Sequence, residues 1–499
     1  MVKKSNRPKV GSFVKRLCGI LPARIMYSAL LMGCIPAGAQ QIVVSEEIML
    51  KDDLAYDIIG LDGRTILFRE KGSDFEVRSY DEQMLLRWEH DLELEKRNTD
   101  FIGVTEGEHV FHMLYGFRHR GIYTIMHRVY APDMTLLDTV VVHVDEKDYF
   151  TPKYRSALSE DKTKVLLYQA EKEDEVSIIV YDLQSMEVVL DNLVQTDEAS
   201  VRRNLREMLV SDNGDVFVVF DQERLSDRNR IFNVLRIDSR TKAAKMSEVH
   251  LGDLVASDLH AAVDNLHGDL TLAGLFSEKP SGKSKGLYVV KVGLEDGQMQ
   301  LRTILFNEEL LQSVYGKEVS SGKGVTNFAV QDIVLRQDGG TLVIAEMTKE
   351  YSRRPNMPGR RDFGYPRGGW VDYYYEDLIV CSLNPDGSEH WSSVLHKKQY
   401  SQDDDAMYSS YFLFRTPEQL RLIFNDEIRQ ENMVSAYIIR GNGYYDRRSV
   451  FSTNYQRLRL RLRDAVQVSY NTCVVPSERN GRLSLVKITF DDAGMAGGR

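Results

Sequence analysis

Two stretches of the chain concentrate side chains suited to recognition. Between residues 352 and 375 the sequence SRRPNMPGRRDFGYPRGGWVDYYY gathers Arg353, Arg354, Arg360, Arg361 and Arg367 with Tyr365, Trp370, Tyr373, Tyr374 and Tyr375. Guanidinium forks and flat amphipathic rings dominate the energetics of protein interfaces, and long loops on rigid frames are where such groups are commonly displayed. Further on, Arg457, Arg459, Arg461 and Arg463 alternate with Leu458, Leu460 and Leu462. A strand here would set four guanidinium groups on one face and the leucines on the other. That face would suit a polyanionic glycan or an acidic protein.

Patterns that would signal catalysis or metal binding are weaker. Gly282-Lys283-Ser284-Lys285-Gly286 fits G-x-S-x-G, but that chemistry needs a strained strand-to-helix turn. Strand-like runs flank it on both sides, so it reads as a polar hairpin tip. A phosphate loop requires G-x-x-x-x-G-K-[ST]. Ser277 stands where Lys283 would need the first glycine, and Gly316 is one residue too far from Gly322. His109, His112, His119, His127 and His143 crowd one region without ligand spacing, and they should scatter over the faces of alternating strands; no metal site is expected. Asp403, Asp404 and Asp405 lack the glycine of a calcium loop and read as a solvated acidic turn. Asp386-Gly387 followed by Trp391 has the turn-and-Trp look of quinoprotein propellers, which repeat the Trp in most blades. Only Trp88, Trp370 and Trp391 are present, so no cofactor is expected.

The elements that must position these residues follow from composition and period. The chain has 499 residues, 42% hydrophobic and 28% charged, with 12 prolines, a balance that suits a globular fold with a sizeable core. Its first 39 residues hold Lys3, Lys4, Arg7, Lys9, Lys15, Arg16 and Arg24 and no acidic residue, then an apolar run over 25–35, then Ala37-Gly38-Ala39. That order is a secretory signal peptide cut after Ala39, the apolar run being too short to span a bilayer. Leu31-Met32-Gly33-Cys34 offers an alternative in which Cys34 is lipidated. Without these residues 57 Lys and Arg face 74 Asp and Glu, a surplus of negative charge that argues against nucleic-acid binding. Cys381 and Cys473 remain; two cysteines cannot make a disulfide framework, and they read as core residues, with a single bridge left open.

After residue 39 the sequence is a succession of short β-branched and aromatic runs broken by polar turns. A strand-then-turn pattern recurs at Tyr80, Tyr130, Tyr181, Ile237, Val292, Leu383, Ile439 and Ile488, separated by 50, 51, 56, 55, 91, 56 and 49 residues. A second turn series precedes these anchors, as at Asp62-Gly63, Asn213-Gly214, Gly268-Asp269 and Gly339-Gly340, where Gly and Asn supply the positive φ of tight hairpins. Two hairpin turns per repeat of about 50 residues describe a four-stranded propeller blade. Eight anchors imply an all-β propeller of eight blades, with seven the competing count. The last repeat reaches only its third strand near Phe490, while a strand-like run over 42–50 opens the mature chain. Pairing the two would close the ring and remove both free edges. The expected organisation is a signal peptide (1–39), one propeller (40–492) with a surface insertion at 352–375, and a disordered tail (493–499).

The segment over 369–413, GWVDYYYEDLIVCSLNPDGSEHWSSVLHKKQYSQDDDAMYSSYFL, together with the AGA-QQ signal end, resembles poorly characterised secreted propeller-like proteins of Bacteroidota. The resemblance implies a cell-envelope address and no catalytic residues. Some of these bacteria export through a type IX route that uses an appended C-terminal sandwich domain. The strand pattern here stops at Phe490, so periplasmic or outer-membrane retention is expected. The functional expectation is a non-catalytic envelope scaffold that binds a protein or glycan partner. The alternative is a carbohydrate- or peptide-processing enzyme working in the central funnel.

Overall fold

A computed structural model describes residues 40–490 apart from short segments at 52–54, 72–73, 95–98, 147–152, 197–199, 224–229, 281, 295–296, 320–321, 354–369, 427, 429–432 and 454–456. Eight antiparallel sheets follow one another along the chain, each a four-stranded meander. Blade one comprises Ala55–Leu61, Arg64–Lys71, Asp74–Tyr80 and Leu86–Leu92. Blades two to five occupy residues 99–145, 155–195, 205–249 and 255–305. Blade six contains Phe328–Leu335, Thr341–Arg353, Trp370–Leu383 and Glu389–Leu395, and blade seven Tyr411–Arg415, Gln419–Asn425, Met433–Arg440 and Tyr445–Ser452. Blade eight takes Val466–Ser469, Thr472–Arg479 and Arg482–Thr489 from the end of the chain, and its fourth strand is the N-terminal Gln41–Val44.

Ring closure is therefore a strand exchange between the two ends. Gln41 pairs with Thr489 and Val44 with Val486, and Ile48–Met49 continues along the same edge opposite Leu483 and Arg482. Leu485 N–H donates to Ser45 Oγ at 2.9 Å, and Ser45 N–H donates to the Leu485 carbonyl. The packing confirms a closed ring of eight. An open row of eight sheets would bury seven interfaces, whereas eight apolar clusters are present, one between each neighbouring pair. The eighth joins Val474, Leu483 and Leu485 of blade eight to Ile58, Leu67 and Tyr80 of blade one.

The anchors read from the sequence all fall on the third strand of their blade. The 91-residue interval holds two additions. One is the extension of the second and third strands of blade six, which stay paired from Thr341↔Leu383 out to Arg353↔Trp370. The other is a helix, Glu308–Tyr315, between blades five and six. Asn307 caps it by accepting from Leu310 N–H at 2.8 Å, and Gly316 ends it at φ 64°, a left-handed conformation that glycine adopts without steric penalty. Its Leu310 and Leu311 pack into the cluster between blades five and six.

Cys381 and Cys473 are buried free thiols. Cys381 lies on the third strand of blade six and Cys473 on the second strand of blade eight, so the bridge left open by the sequence is absent.

Candidate functional site

A meander blade sends its loops out on two faces. The first-to-second and third-to-fourth turns leave on one side, and the second-to-third turns and the links to the next blade leave on the other. Both turn series legible in the sequence belong to the first side. The second side carries the long hairpin of blade six, helix Glu308–Tyr315, and the links between blades six and seven, seven and eight, and eight and one. The two Arg-rich stretches therefore emerge on the same face.

Residues 457–464 do not form the expected strand. The segment is irregular, with one isolated bridge from Leu460 to Ser477 and a 3₁₀ turn at Leu462–Asp464. The reason lies in its role as the link from the outer strand of blade seven to the inner strand of blade eight: only Arg459 to Arg461 runs along the open stretch of Thr472–Arg479, with Arg461 N–H donating to the Pro476 carbonyl and Glu478 N–H to that of Arg459, before the chain turns into blade eight. Leucine-in, arginine-out alternation survives nonetheless. Leu458, Leu460 and Leu462 are buried among Phe414, Ile423, Val475 and Phe490.

Three of the four arginines lie over tyrosines from other parts of the ring. Arg459 is 4.3 Å from the Tyr408 ring centroid, Arg461 is 5.4 Å from that of Tyr56 and Arg463 is 4.6 Å from that of Tyr375. Arg457 is exposed at φ 54°. Tyr56 comes from the inner strand of blade one, Tyr375 from the hairpin of blade six and Tyr408 from the link that follows it. Arg461 also meets two carboxylates, donating through Nη1 to Glu478 and standing at ion-pair distance from Asp464 through Nε, both at 2.5 Å. Arg463 is exposed and has no carboxylate at ion-pair distance among the described residues.

Within the hairpin, Tyr373, Tyr374 and Tyr375 belong to a strand whose far edge pairs with Gln399–Gln402. Tyr374 lies between Tyr351, 5.8 Å away, and Tyr400, 4.9 Å away. Arg353 and Trp370 close the described part of the hairpin as paired strand ends, while Arg354, Arg360, Arg361, Arg367 and Tyr365 lie outside the described residues, as does Cys34. The acidic turn is structural: Asp403 accepts from Val371 N–H at 2.7 Å, Asp404 from Ala406 N–H at 3.1 Å, and Asp405 from the Tyr373 hydroxyl at 3.3 Å.

Beneath this face lies a buried polar network. Lys397 and Glu346 form an ion pair at 2.5 Å, both side chains fully enclosed. Ser410 Oγ donates to Glu346 at 2.6 Å and Lys397 donates to Gln399 Oε1 at 2.8 Å. Asn425 donates to the carbonyls of Tyr408 and Leu460, each at 2.9 Å, tying together the two links that carry the Tyr and Arg pairs. Burial pushes the Lys397 ammonium below its usual range against the pull of Glu346. Apart from Glu346 Oε1, which is held by the ion pair alone, the network is hydrogen-bonded, and such a network fixes one arrangement of the loops above it.

A cavity of about 610 Å³ opens at the seam between blades eight and one, lined by Tyr56, Asp57, Arg461, Arg463, Asp464 and Glu478 with Leu50, Ile58 and Val466. The Tyr56 hydroxyl is buried without a hydrogen-bond partner among the described residues. Burial raises the pKa of Tyr56, with Arg461 opposing. Elsewhere on the inner strands, His260 Nδ1 lies 3.1 Å from Glu207, whose hydrogen bond raises the imidazole pKa. Tyr411 donates to Asp332 at 2.6 Å.

The remaining sequence patterns resolve simply. Ser284 sits in the loop between Asp269–Ser277 and Gly286–Gly293, 3.3 Å from Ser257 Oγ. Trp391 donates to the Gly441 carbonyl at 3.0 Å, bracing blade six against a turn of blade seven. Of the five clustered histidines, two meet: His112 Nδ1 is 3.0 Å from His127 Nε2, and His127 Nδ1 is 3.0 Å from the Tyr181 hydroxyl, all three buried between blades two and three. His109 pairs with Asp62 and His143 with Asp191. Sequence spacing gave no sign of the buried His112–His127 contact, because it depends on which residues stand opposite in adjacent strands.

No family model and no curated protein matches the sequence. Among solved structures, the β-propeller domain of the Trilobed protease from Pyrococcus furiosus aligns with 82% of this chain and 98% of its own, at 10% identity and a TM-score of 0.37. The Nup133 β-propeller domain of Vanderwaltozyma polyspora aligns with 79% of this chain and all of its own, at 10% identity and a TM-score of 0.38. The polysaccharide lyase Uly1 covers 90% and 99%, at 9% identity and a TM-score of 0.40. Likeness at this level implies no shared activity.

Proposed function

We propose that this protein is a non-catalytic binding scaffold of the bacterial cell envelope, exported and retained at the periplasm or outer membrane. It recognises a protein or glycan partner through the face where the blade-six hairpin meets the 457–464 link. The observation that supports this reading is the convergence of Arg459, Arg461 and Arg463 with Tyr408, Tyr56 and Tyr375 from separate parts of the ring. Arg and Tyr are among the residues most enriched at binding hot spots, and here Asn425 of the buried network ties the segment of Tyr408 to that of the arginines. The envelope address rests on the basic-apolar-small order of residues 1–39.

The test is affinity capture from the native envelope, with the chain compared to a variant in which residues 354–369 are replaced by a short Gly-containing turn. A partner held by the parent and lost by the variant, with circular dichroism unchanged, is the expected result. Equal capture by both would remove the hairpin from the binding site. A second reading, an enzyme in the central funnel, draws on the His260–Glu207 pair, the one imidazole and carboxylate of the described inner strands at ion-pair distance. Turnover of envelope glycans or peptides that is abolished by Glu207→Gln would favour it instead.

A further inference from the structure

The seam cavity is lined in a way that selects a ligand. Arg461 holds Asp464 through Oδ2 and Glu478 through Oε2, leaving the second oxygen of each carboxylate as an acceptor. Asp57 alternates to the other face of its strand, with Ile59 and Phe68 toward blade two, whereas the Tyr56 hydroxyl on the seam side is a buried group still lacking a partner among the described residues. Arg463 is the cation of the lining not engaged by a carboxylate there, and Tyr375 holds its guanidinium plane from one side. A planar guanidinium so placed takes a carboxylate in two parallel hydrogen bonds. Two carboxylates beside one available cation would repel a phosphate dianion, and they offer acceptors for more than one donor at once. A sugar ring bearing one carboxylate and two or three hydroxyls meets both demands, and the volume lies in the range of small-molecule sites, about 300–1,000 Å³.

We propose that the cavity between blades eight and one binds an acidic sugar residue, with its carboxylate on Arg463 and its hydroxyls on Asp464, Glu478 and the Tyr56 hydroxyl. This rests on the binding-scaffold reading and makes its ligand a uronate-containing glycan. Because Arg461 already fixes two of the acceptors, little ordering remains to oppose binding.

Calorimetric titration of the purified chain with trimers of galacturonate, glucuronate and mannuronate, beside neutral trigalactose and the tripeptide Gly-Gly-Ala, tests this. At least one uronate trimer should bind, with trigalactose weaker by about tenfold or more, the loss of one charge-assisted contact. Arg463→Gln should lose the same factor, Arg463→Lys less of it, and Tyr56→Phe about threefold, each with a single melting transition that shifts by at most about 2 °C, the loss of one exposed cation–π contact, to show that the ring is intact. Equal binding of trigalactose, tighter binding of the tripeptide, or insensitivity to Arg463→Gln would overturn the assignment. If no uronate binds while hairpin-dependent partner capture persists, the sugar site falls and the scaffold reading stands. Loss of both would overturn both.

Discussion

The guanidinium of Arg463 lies 4.6 Å from the centroid of the Tyr375 ring, although the two belong to the blade seven-to-eight link and the blade-six hairpin. Neither residue is close to the other in sequence, so the contact forms only once blades six, seven and eight are in register. Cation–π contacts at exposed sites contribute about 0.5–1 kcal/mol. A double-mutant cycle with Arg463→Gln and Tyr375→Leu, read by urea denaturation, should return a coupling energy of about that size. A value indistinguishable from zero would mean that the stack has no energetic weight and that the two segments are held together only by the network below.

That network makes its own prediction. Removing one partner from a buried ion pair leaves an uncompensated charge and costs about 3–5 kcal/mol, whereas replacing both with apolar residues is often close to neutral. Glu346→Gln should therefore destabilise strongly, since Lys397 has no access to solvent. The double variant Glu346→Leu with Lys397→Met should recover part of the loss and not all, because Ser410 and Gln399 would lose hydrogen-bond partners. Full recovery would show that these two side chains readily find other partners.

How much of this was legible in the sequence divides along the two faces of the ring. Tight turns need particular residues, so Asp62-Gly63, Asn213-Gly214 and Gly339-Gly340 announced the first-to-second turns and gave blade count and register. Closure was legible too, since a run over 42–50 without a partner and a last repeat one strand short had a single economical solution. The other face is built by long links whose course depends on tertiary partners. Leu458, Leu460 and Leu462 alternate as a strand would, yet only Leu460 bridges the open edge of Thr472–Arg479, and packing between blades seven and eight turned the rest of the alternation into an irregular ribbon. The helix at Glu308–Tyr315 was signalled by Asn307, two following glutamates and Gly316, a start-and-stop pattern masked by the prevailing strand period.

The thiols of Cys381 and Cys473 should be silent in the folded state. Cys381 and Cys473 are enclosed, and burial pushes the Cys381 thiol up to about 12 and that of Cys473 higher still. The thiolate is the reactive form, so Ellman's reagent should label neither residue in native buffer and both after denaturation. Labelling of either at a rate faster than global unfolding would reveal a local opening of blade six or blade eight.

Acid should weaken the interface between blades two and three through His127. Burial, together with the neighbouring His112, lowers the His127 pKa from 6.5 to about 4, with Asp138 opposing; burial also lowers that of His112. The unfolded chain therefore takes up a proton on His127 below about pH 6.5 while the folded chain does not until about pH 4, and stability must fall as pH drops through that window. The contribution is fully present above pH 6.5 and amounts to about 3 kcal/mol for a shift of this size. His260, raised by Glu207, acts in the opposite sense but is partly exposed and screened. Carboxylates titrate at the lower end of the same range, so the comparison must be differential. The free energy of unfolding should be measured from pH 7.5 to pH 4.5 for the parent chain and for His127→Gln, whose amide can still meet the Tyr181 hydroxyl. The variant is expected to be less stable at neutral pH and to show a shallower loss on acidification. Parallel profiles would mean that water or a rearranged His112 solvates the imidazole and that the buried pair carries no pH dependence.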